Sequence, residues 1–206
     1  MPTATINDLI AAERQALATV LSGLAPEQWD APTLCAGWRV REVTAHITMP
    51  FRYSTDQYLR ELQASHGDFS QMADRCARRD AARPAGELVA ELAGNVHHPW
   101  QPPGGGFEGA LSHDVIHGLD ITVPLATGRR VPGPHLLTVL GFLTSQGGGA
   151  VFGTDLSGVE LRADDLDWAY GSGEPVTGLG QHLLLAMAGR RLPAGLLRGT
   201  QAARFS

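Results

Sequence analysis

The sequence predicts a mainly α-helical fold, in which a helical domain is followed by a small C-terminal α/β unit. Over the first 146 residues, apolar side chains recur three and four positions apart, which is the spacing of amphipathic helices. After Gly147-Gly148-Gly149, apolar and polar residues alternate, which is the spacing of strands. We therefore predict a helical domain over residues 1–149 and an α/β unit over residues 150–206.

Five helices are predicted in the first domain, from their apolar periodicity and from the glycines and prolines that end helices. They are expected at residues 5–23, from Trp38 to Leu62, from Pro84 to Val96, at 108–126 and at 134–146. Pro50 lies inside the second helix and cannot donate a hydrogen bond to the carbonyl of His46, so we expect a kink or break there. Residues 67–83 are polar and show little periodicity, so no helix is predicted in that stretch.

Two strands and one helix are predicted in the C-terminal unit. Residues 159–163 and 166–170 each alternate apolar with polar side chains, as strands with one buried face do. The Asp164-Asp165 pair between them is predicted to form a hairpin turn. Residues 177–188 are predicted to form a helix that ends at Gly189.

Composition and charge exclude several classes of protein. The formal net charge is -5 and the sequence shows no basic stripe, which argues against binding to nucleic acid. The most apolar stretch, residues 136–143, is far too short to span a bilayer, and the N-terminus lacks the pattern of a signal peptide. The two cysteines, Cys35 and Cys76, form no CxxC motif and are expected to be reduced thiols. We therefore expect a cytoplasmic protein without a membrane partner.

The most informative motif is a pair of histidines, His113 and His117, in the fourth predicted helix. Residues four apart project from one helix face with Cβ atoms about 5–6 Å apart, so both imidazoles can reach one ion at about 2.0–2.1 Å. Asp120 lies on the same face, where it can accept the second ring proton of a ligand histidine. The motif lacks the glutamate of HExxH, which excludes a zincin site. An ordinary pair of partly exposed histidines is the alternative for this motif alone.

A third ligand has to come from another helix, and His46 is the best candidate. It lies in the second predicted helix beside Val43 and Ile47, where an unpaired imidazole is unfavourable. A core histidine bonded to a backbone carbonyl is the alternative. The other histidines lie in or near predicted loops and termini, or in the C-terminal unit, and are expected at the surface: His66, His97, His98, His135 and His182. The predicted ion is divalent, with zinc expected and nickel or iron as alternatives.

The segment at residues 32–46, PTLCAGWRVREVTAH, resembles the signature of the mycothiol-dependent maleylpyruvate isomerase family, which belongs to the DinB-like metal-binding superfamily. The spacing His113-x-x-x-His117-x-x-Asp120 is also similar, as are the stretches 167–173 and 175–178 and the pair Gly189-Arg190. The resemblance implies a DinB-like up-and-down four-helix bundle with one zinc-like ion, the family's first and last histidines falling on His46 and His117. The family has glutamate where this chain has His113, and three histidines instead resemble DinB-like thiol transferases.

The resemblance implies an enzyme that uses mycothiol as cosubstrate, of the isomerase or thiol S-transferase type. A thiol bound to an ion with three neutral ligands loses its proton and becomes a nucleophile toward a small electrophilic substrate. Asp120 and Glu42 are expected as outer partners of the ligands, although a solvated helix charge suits Glu42 equally. Arg52 is a candidate for binding a carboxylate substrate, with a surface role as the alternative, and Cys35 is expected to be structural.

Two alternatives from other classes stay open. A non-catalytic DinB-like metal-binding protein needs no substrate pocket beside the ion, and a metal-dependent hydrolase acts without a thiol. The protein is expected to be a monomer or a homodimer.

Overall fold

The computed structural model of the protein describes residues 4–146 and 152–206. Over these residues the chain forms eight α-helices and one four-stranded sheet, which confirms the mainly α fold with a small C-terminal α/β part. The elements are α1 (Ile6–Ser22), α2 (Val40–Arg52), α3 (Thr55–Ala64), α4 (Phe69–Asp80), α5 (Ala85–Gly94), α6 (Gly106–Thr122), α7 (Gly133–Ser145), β1 (Val159–Ala163), β2 (Ala169–Gly171), β3 (Glu174–Gly178), α8 (Gly180–Met187) and β4 (Leu197–Arg198). None of the helices in this part of the chain has both the length and the apolar character needed to cross a bilayer.

The helical bundle is built by α1, α2, α5 and α6, because α1 and α2 each contact both α5 and α6. The side chains that fill the space between them are fully or almost fully buried, among them Leu17, Leu21, Val43, Ile47, Leu88 and Leu92. Burying a side chain of this size contributes about 1.5–3 kcal/mol. This packing holds α2, which carries His46, against α6, which carries His113 and His117.

A second part of the core joins the C-terminal unit to the bundle. β1 and β3 run parallel, and β2 and β4 add antiparallel edges, which gives the order β2-β1-β3-β4. α8 contacts both inner strands and also α6 and α7. Apolar side chains from all these elements form one buried cluster, including Leu119, Leu140, Leu161, Val176 and Leu184. The predicted domain boundary between residues 149 and 150 lies outside the described residues and stays a prediction.

The main departure from the predicted elements is α4, which occupies most of the polar stretch 67–83. Its buried residues are mostly small, and they recur at helical spacing: Met72, Ala73, Cys76 and Ala77. Alanine contributes little to a hydrophobic pattern, so this stripe is weak in the sequence although α2 covers it in the structure. The prediction that no helix forms here is therefore wrong.

Two other boundaries differ from the prediction. α2 continues past Pro50 to Arg52, and the break falls at Ser54, whose side chain accepts a hydrogen bond from the backbone N–H of Gln57 and so caps α3. The helix predicted at residues 177–188 begins only at Gly180, because the preceding residues pair with β1 as the strand β3. The predicted antiparallel pairing of the first two strands is present, with a longer turn than Asp164-Asp165.

Asp80, the last residue of α4, joins this helix to the end of α2. Its carboxylate accepts hydrogen bonds from Arg52 Nη2 at 2.8 Å, the Tyr53 hydroxyl at 2.9 Å and Arg79 Nε at 3.1 Å. Burial alone would raise the pKa of Asp80, but these hydrogen bonds outweigh it and hold the pKa below its ordinary value. Arg52 also donates to the carbonyl of Ala45 at 3.0 Å. These contacts give Arg52 a structural role, and its role in substrate binding stays a prediction.

We expect Asp80→Asn to lower the free energy of unfolding by roughly 2 kcal/mol at neutral pH, because the charge-assisted hydrogen bonds are lost. The pKa of Asp80 is depressed in the folded state, so this stabilisation is present above the ordinary value of 3.8 and is lost as the pH falls through the folded pKa. Urea unfolding at about pH 7 and about pH 3 measures both effects. The difference in the free energy of unfolding between wild type and variant should be smaller at the lower pH.

Asp167→Asn is the matched control, since this aspartate is exposed and makes no side-chain hydrogen bond among the described residues. Its effect should stay within about 0.5 kcal/mol. An equal loss of stability in the two variants would contradict the role given to Asp80.

Candidate metal centre

Three imidazole rings meet between α2 and α6. His46 comes from α2, and His113 and His117 lie one helical turn apart on α6. The ring centroids are 5.1 Å apart for His46 and His113, and 4.9 Å apart for each of the other two pairs. One nitrogen from each ring lies within 4.8 Å of the others. Nitrogens bound to a common zinc ion lie roughly 3–4 Å apart, so small side-chain adjustments bring this set to binding distance.

The turn before α2 places Trp38 against the first histidine. The indole ring of Trp38 lies 5.0 Å from the ring of His46, and its N–H donates a hydrogen bond to Asp74 at 2.8 Å. Thr33 closes the turn by donating from its hydroxyl to the carbonyl of Trp38 at 2.8 Å. Gly37 has a φ of 79°, a left-handed conformation that glycine adopts at little cost. The motif in residues 32–46 thus has a structural reason, since it builds one wall of the histidine cluster.

His117 is oriented by a buried carboxylate. Oδ2 of Asp120 lies 3.0 Å from Nδ1 of His117, and Arg190 donates from Nε and Nη2 to the two carboxylate oxygens, each at 2.8 Å. Burial would raise the pKa of Asp120, but the hydrogen bonds from His117 and Arg190 outweigh it and lower the pKa. An ionised carboxylate only accepts hydrogen bonds, so the proton of His117 sits on Nδ1 and Nε2 keeps its lone pair.

His113 has a second, independent arrangement of the same kind. Oδ1 of Asp114 lies 3.0 Å from Nδ1 of His113, and Arg14 donates from Nε to Oδ2 of Asp114 at 2.7 Å. The side chains of Arg14 and Asp114 are 0% and 1% exposed. Arg14 also donates to the carbonyl of His98 at 2.8 Å, and its guanidinium lies 5.0 Å from the ring of Phe51. His113 is therefore held from α1 as well as from its own helix.

His46 completes the set, and its environment fits a metal ligand. The ring is buried, and its Nδ1 has no hydrogen-bond partner among the described residues. Burial first, and then the neighbouring His117 and His113, hold the pKa of His46 well below its ordinary value; burial also lowers the pKa of His117. Neutral imidazole is the form that binds metals. A buried ring nitrogen without a partner is unfavourable, and an ion shared by the three rings would remove that penalty.

Arg190 is a candidate functional residue that the residue pattern alone does not predict. It follows the end of α8, where Gly189 has a φ of 74° and donates from its N–H to the carbonyl of Ala186 at 3.1 Å. The N–H of Arg190 donates to the carbonyl of Leu185 at 3.0 Å. These two bonds form a Schellman motif, which sets the direction in which Arg190 leaves the helix. Its one signal in the sequence is the resemblance of Gly189-Arg190 to the family's C-terminal region.

Two of the histidines expected at the surface are buried, so that expectation is wrong for them. His135 and His182 are 5% and 7% exposed. Nδ1 of His135 lies 3.2 Å from Glu13, which also accepts a hydrogen bond from Arg129 at 2.6 Å. His135 packs against α1 through Glu13, and His182 lies in α8, whose residues are all buried; position along the chain does not reveal this burial. A charged residue within an apolar stripe, such as Glu13 or its neighbour Arg14, is the sequence signal for buried pairs of this kind.

Two further residues named in the sequence analysis, Glu42 and Cys35, lie near the start of α2. Glu42 accepts hydrogen bonds from the backbone N–H of Arg39 at 2.8 Å and from its guanidinium, which caps α2. Its role as an outer partner of the ligands stays a prediction. The Cys35 thiol lies close to His117 and Asp120. Burial, and then the charge of Asp120, raise the pKa of Cys35 to about 11, so the thiol keeps its proton at neutral pH.

A cavity of about 940 Å³ opens beside the histidines. It is lined by parts of α2, α3, α6 and α7 and by the segment that precedes α6. Most of its walls are apolar, and they include Met49, Tyr58, Leu59, Trp100, Ile116 and Phe142. The three histidines and Arg190 lie among the lining residues. The volume is within the range of pockets that bind small molecules.

The fold and the site thus define a helical-bundle protein with a three-histidine centre that opens into a cavity. Residues 10–98 match the family model of the mycothiol maleylpyruvate isomerase N-terminal domain. The matched segment holds most of α1, all of α2 to α5, and the motif at residues 32–46 with His46. This part of the chain is therefore similar to the N-terminal domain of that family, which confirms the resemblance seen in the sequence.

The likeness in fold extends beyond residues 10–98. A crystal structure of a histidine-to-alanine mutant of the mycothiol-dependent maleylpyruvate isomerase aligns at 15% identity with a TM-score of 0.51, over 97% of this chain and 96% of that chain. Another crystal structure of the enzyme aligns over the same shares at 15% identity, with a TM-score of 0.48. The first alignment shows a shared fold over almost the whole chain. Among curated proteins, none matches this chain.

We expect Arg14→Met to lower the free energy of unfolding by about 3–5 kcal/mol, because it leaves the buried carboxylate of Asp114 without its cation. Urea unfolding measures the loss. In the double variant Arg14→Met/Asp114→Asn the buried charge is also removed, so at least about half of the lost stability should return.

Arg60→Met is the matched control, since Arg60 is exposed and forms no hydrogen bond or ion pair within the described residues. It should change the stability by less than about 0.5 kcal/mol. If the double variant were as unstable as Arg14→Met, the buried ion pair would not be the cause.

Proposed function

We propose that this protein is a metal-dependent enzyme of the mycothiol-dependent isomerase or thiol S-transferase type. The observation that supports the proposal is the convergence of three imidazoles at the edge of a cavity large enough for a small substrate. His46, His113 and His117 would hold a divalent metal, for which zinc is the expected ion. Imidazole nitrogens also suit nickel and iron, so the donor set by itself selects a class of metals.

The residues around the histidines would prepare them as ligands. Asp120 and Asp114 keep the protons of His117 and His113 on Nδ1, which leaves Nε2 of each ring as the ligand atom. A divalent metal held by three neutral ligands retains an open position, and when bound it makes a thiol acidic enough to be a thiolate at neutral pH. Arg190 balances the charge of Asp120, so this carboxylate can remain ionised in a buried place.

The thiol would be a low-molecular-weight thiol, and the matched family suggests mycothiol. Its sulfur would attack an electrophilic double bond, or a carbon that carries a leaving group, in a substrate bound in the cavity. Isomerisation would follow from addition to the double bond, rotation about the resulting single bond and elimination of the thiol. The apolar walls and Trp100, whose ring lies 5.0 Å from that of His113, would limit access of water to the reacting atoms.

Two alternatives make different demands on the site. A non-catalytic metal-binding protein needs no cavity beside the ion, so the cavity favours an enzyme. A hydrolase would form its product without a thiol. Assays with and without mycothiol therefore separate hydrolysis from thiol transfer.

We expect each of the variants His46→Ala, His113→Ala and His117→Ala to lose stoichiometric metal, because two imidazoles hold an ion far less tightly than three. Elemental analysis of gently purified protein measures the metal. The rate of mycothiol consumption should fall by at least about 100-fold in the same variants. His97→Ala is the control, since His97 is an exposed histidine outside the cluster, and it should keep both metal and activity. Full metal retention by His46→Ala would exclude this residue as the third ligand.

We expect Asp120→Asn to lower the affinity for zinc by about 10–100-fold, because the asparagine no longer fixes the proton of His117 on Nδ1. Competition with a chromophoric chelator measures the affinity. Asp167→Asn, which alters an exposed carboxylate remote from the cluster in sequence, should leave it unchanged. A folded Asp120→Asn protein with wild-type affinity would show that this hydrogen bond does not contribute to the binding of metal.

A further inference from the structure

We infer that the cavity beside the histidines binds a small uncharged electrophile, with an aromatic or alkyl body, and not a dicarboxylate. The inference rests on the proposed thiol chemistry and names the class of substrate for that same site. Three observations carry it: the aromatic walls of the cavity, the shortage of free positive charge within it and the apolar rim at its mouth.

Aromatic side chains are concentrated in the walls of this cavity. The chain has six phenylalanines, four tryptophans and three tyrosines, and six of these thirteen residues line this one cavity. They are Tyr53, Tyr58, Phe69, Trp100, Phe142 and Phe152. Aromatic rings offer large apolar surfaces and stack against flat ligands, with a gain of about 0.5–1.5 kcal/mol per pair beyond burial. A cavity built in this way favours an apolar body in its ligand.

The cavity offers little free positive charge to an anionic substrate. The protein has no lysine, and Arg190 is the one arginine among the residues that line the cavity. Nε and Nη2 of Arg190 donate to Asp120, and Nη1 donates to the carbonyl of Ala188 at 3.1 Å. The charge of Arg190 is therefore already balanced within the protein. Arg52, the other candidate for a carboxylate partner, is paired with Asp80.

A dicarboxylate would bring two negative charges into this space. A thiolate already compensates one of the two positive charges of a divalent ion, so at most one carboxylate finds a counter-charge at the histidine centre. The second carboxylate would be desolvated without a partner, which is strongly unfavourable. An uncharged electrophile avoids this penalty and gains from the apolar walls.

The mouth of the cavity has the exposed apolar rim that is typical of a ligand-binding groove. Four large apolar side chains are clearly exposed in the described residues, and three of them line this cavity: Leu59, Phe69 and Phe152, which are 54%, 50% and 40% exposed. The fourth, Leu137, is 45% exposed and lies on the surface of α7 outside the cavity. Exposure of this kind costs free energy in the empty protein and is relieved when an apolar ligand covers the rim.

The reaction expected with such a substrate is a substitution or an addition at carbon. With an aryl halide, the sulfur of the thiolate forms a bond to the carbon that carries the halogen, and the carbon–halogen bond breaks. The halide leaves with the bonding electron pair, and the proton of the thiol passes to solvent. No oxidant or reductant is required.

Binding of an uncharged fluorescent probe, N-phenyl-1-naphthylamine, to the metal-loaded protein tests the inference without any turnover. We expect the probe to bind, and 1-chloro-2,4-dinitrobenzene to displace it, whereas maleate at equal concentration should not. The double variant Leu59→Ser/Phe69→Ser should raise the Kd of the probe by at least about fivefold, which corresponds to roughly 1 kcal/mol of lost apolar contact. Leu137→Ser, the matched control of similar exposure, should change it by less than about twofold.

Displacement of the probe by maleate but not by the aryl halide would overturn the inference. An unchanged Kd of the probe in the double variant Leu59→Ser/Phe69→Ser would also overturn it. Measurements of turnover then test the inferred class of substrate separately from the proposed function. With mycothiol present, kcat/KM should be at least about tenfold higher for the aryl halide than for a dianionic electrophile such as maleylpyruvate. Faster reaction of the dianion would support the proposed thiol chemistry and contradict the inferred class of substrate. Probe binding that follows the rim variants, without reaction of either substrate, would support the substrate class and refute the thiol chemistry.

Discussion

The geometry of the histidine cluster depends on two ion pairs whose aspartates are buried. Arg14–Asp114 reaches α6 from α1, and Arg190–Asp120 reaches it from the C-terminal unit. Each aspartate uses one oxygen to hold a histidine of α6 and also accepts from an arginine. Charges buried in this way are costly unless every partner is in place. The two pairs therefore fix the ring orientation of His113 and His117 and make that orientation depend on the whole fold.

This arrangement explains why the C-terminal unit belongs to the site although it contributes none of the three histidines. Its last helix, α8, packs on α6 and α7 through a shared apolar cluster and delivers Arg190 to the far side of Asp120. A turn with Gly189 in a left-handed conformation sets the direction of the arginine. The sheet and its helix thus act as a support for one of the two ion pairs, and the bundle supplies the other.

The site combines a polar base with apolar surroundings. The histidines, aspartates and arginines are confined to the contact between α2, α6 and their supports, while the adjoining cavity is lined mainly by aromatic and aliphatic side chains. Electrostatic interactions are stronger where water is excluded. A thiolate held at the histidine centre would face an apolar space. Its charge is less solvated there than in water, and its reactivity toward carbon is correspondingly higher.

The helical bundle could be predicted from the sequence, as could the His113 and His117 pair with its partner Asp120, because helical periodicity and four-residue spacing are local properties of the chain. The sequence also indicated His46, as a histidine in an apolar stretch. It did not reveal α4, whose buried face is mostly alanine, nor the strand β3, whose identity depends on pairing with β1.

The contacts that complete the cluster could not be predicted from the sequence. Arg14 and Asp114 lie 100 positions apart in the chain, and Asp120 and Arg190 lie 70 apart, so no local pattern joins them. The cavity likewise draws its walls from several helices and loops. Such features arise when distant segments pack together, and packing brings together side chains that the order of residues leaves unrelated.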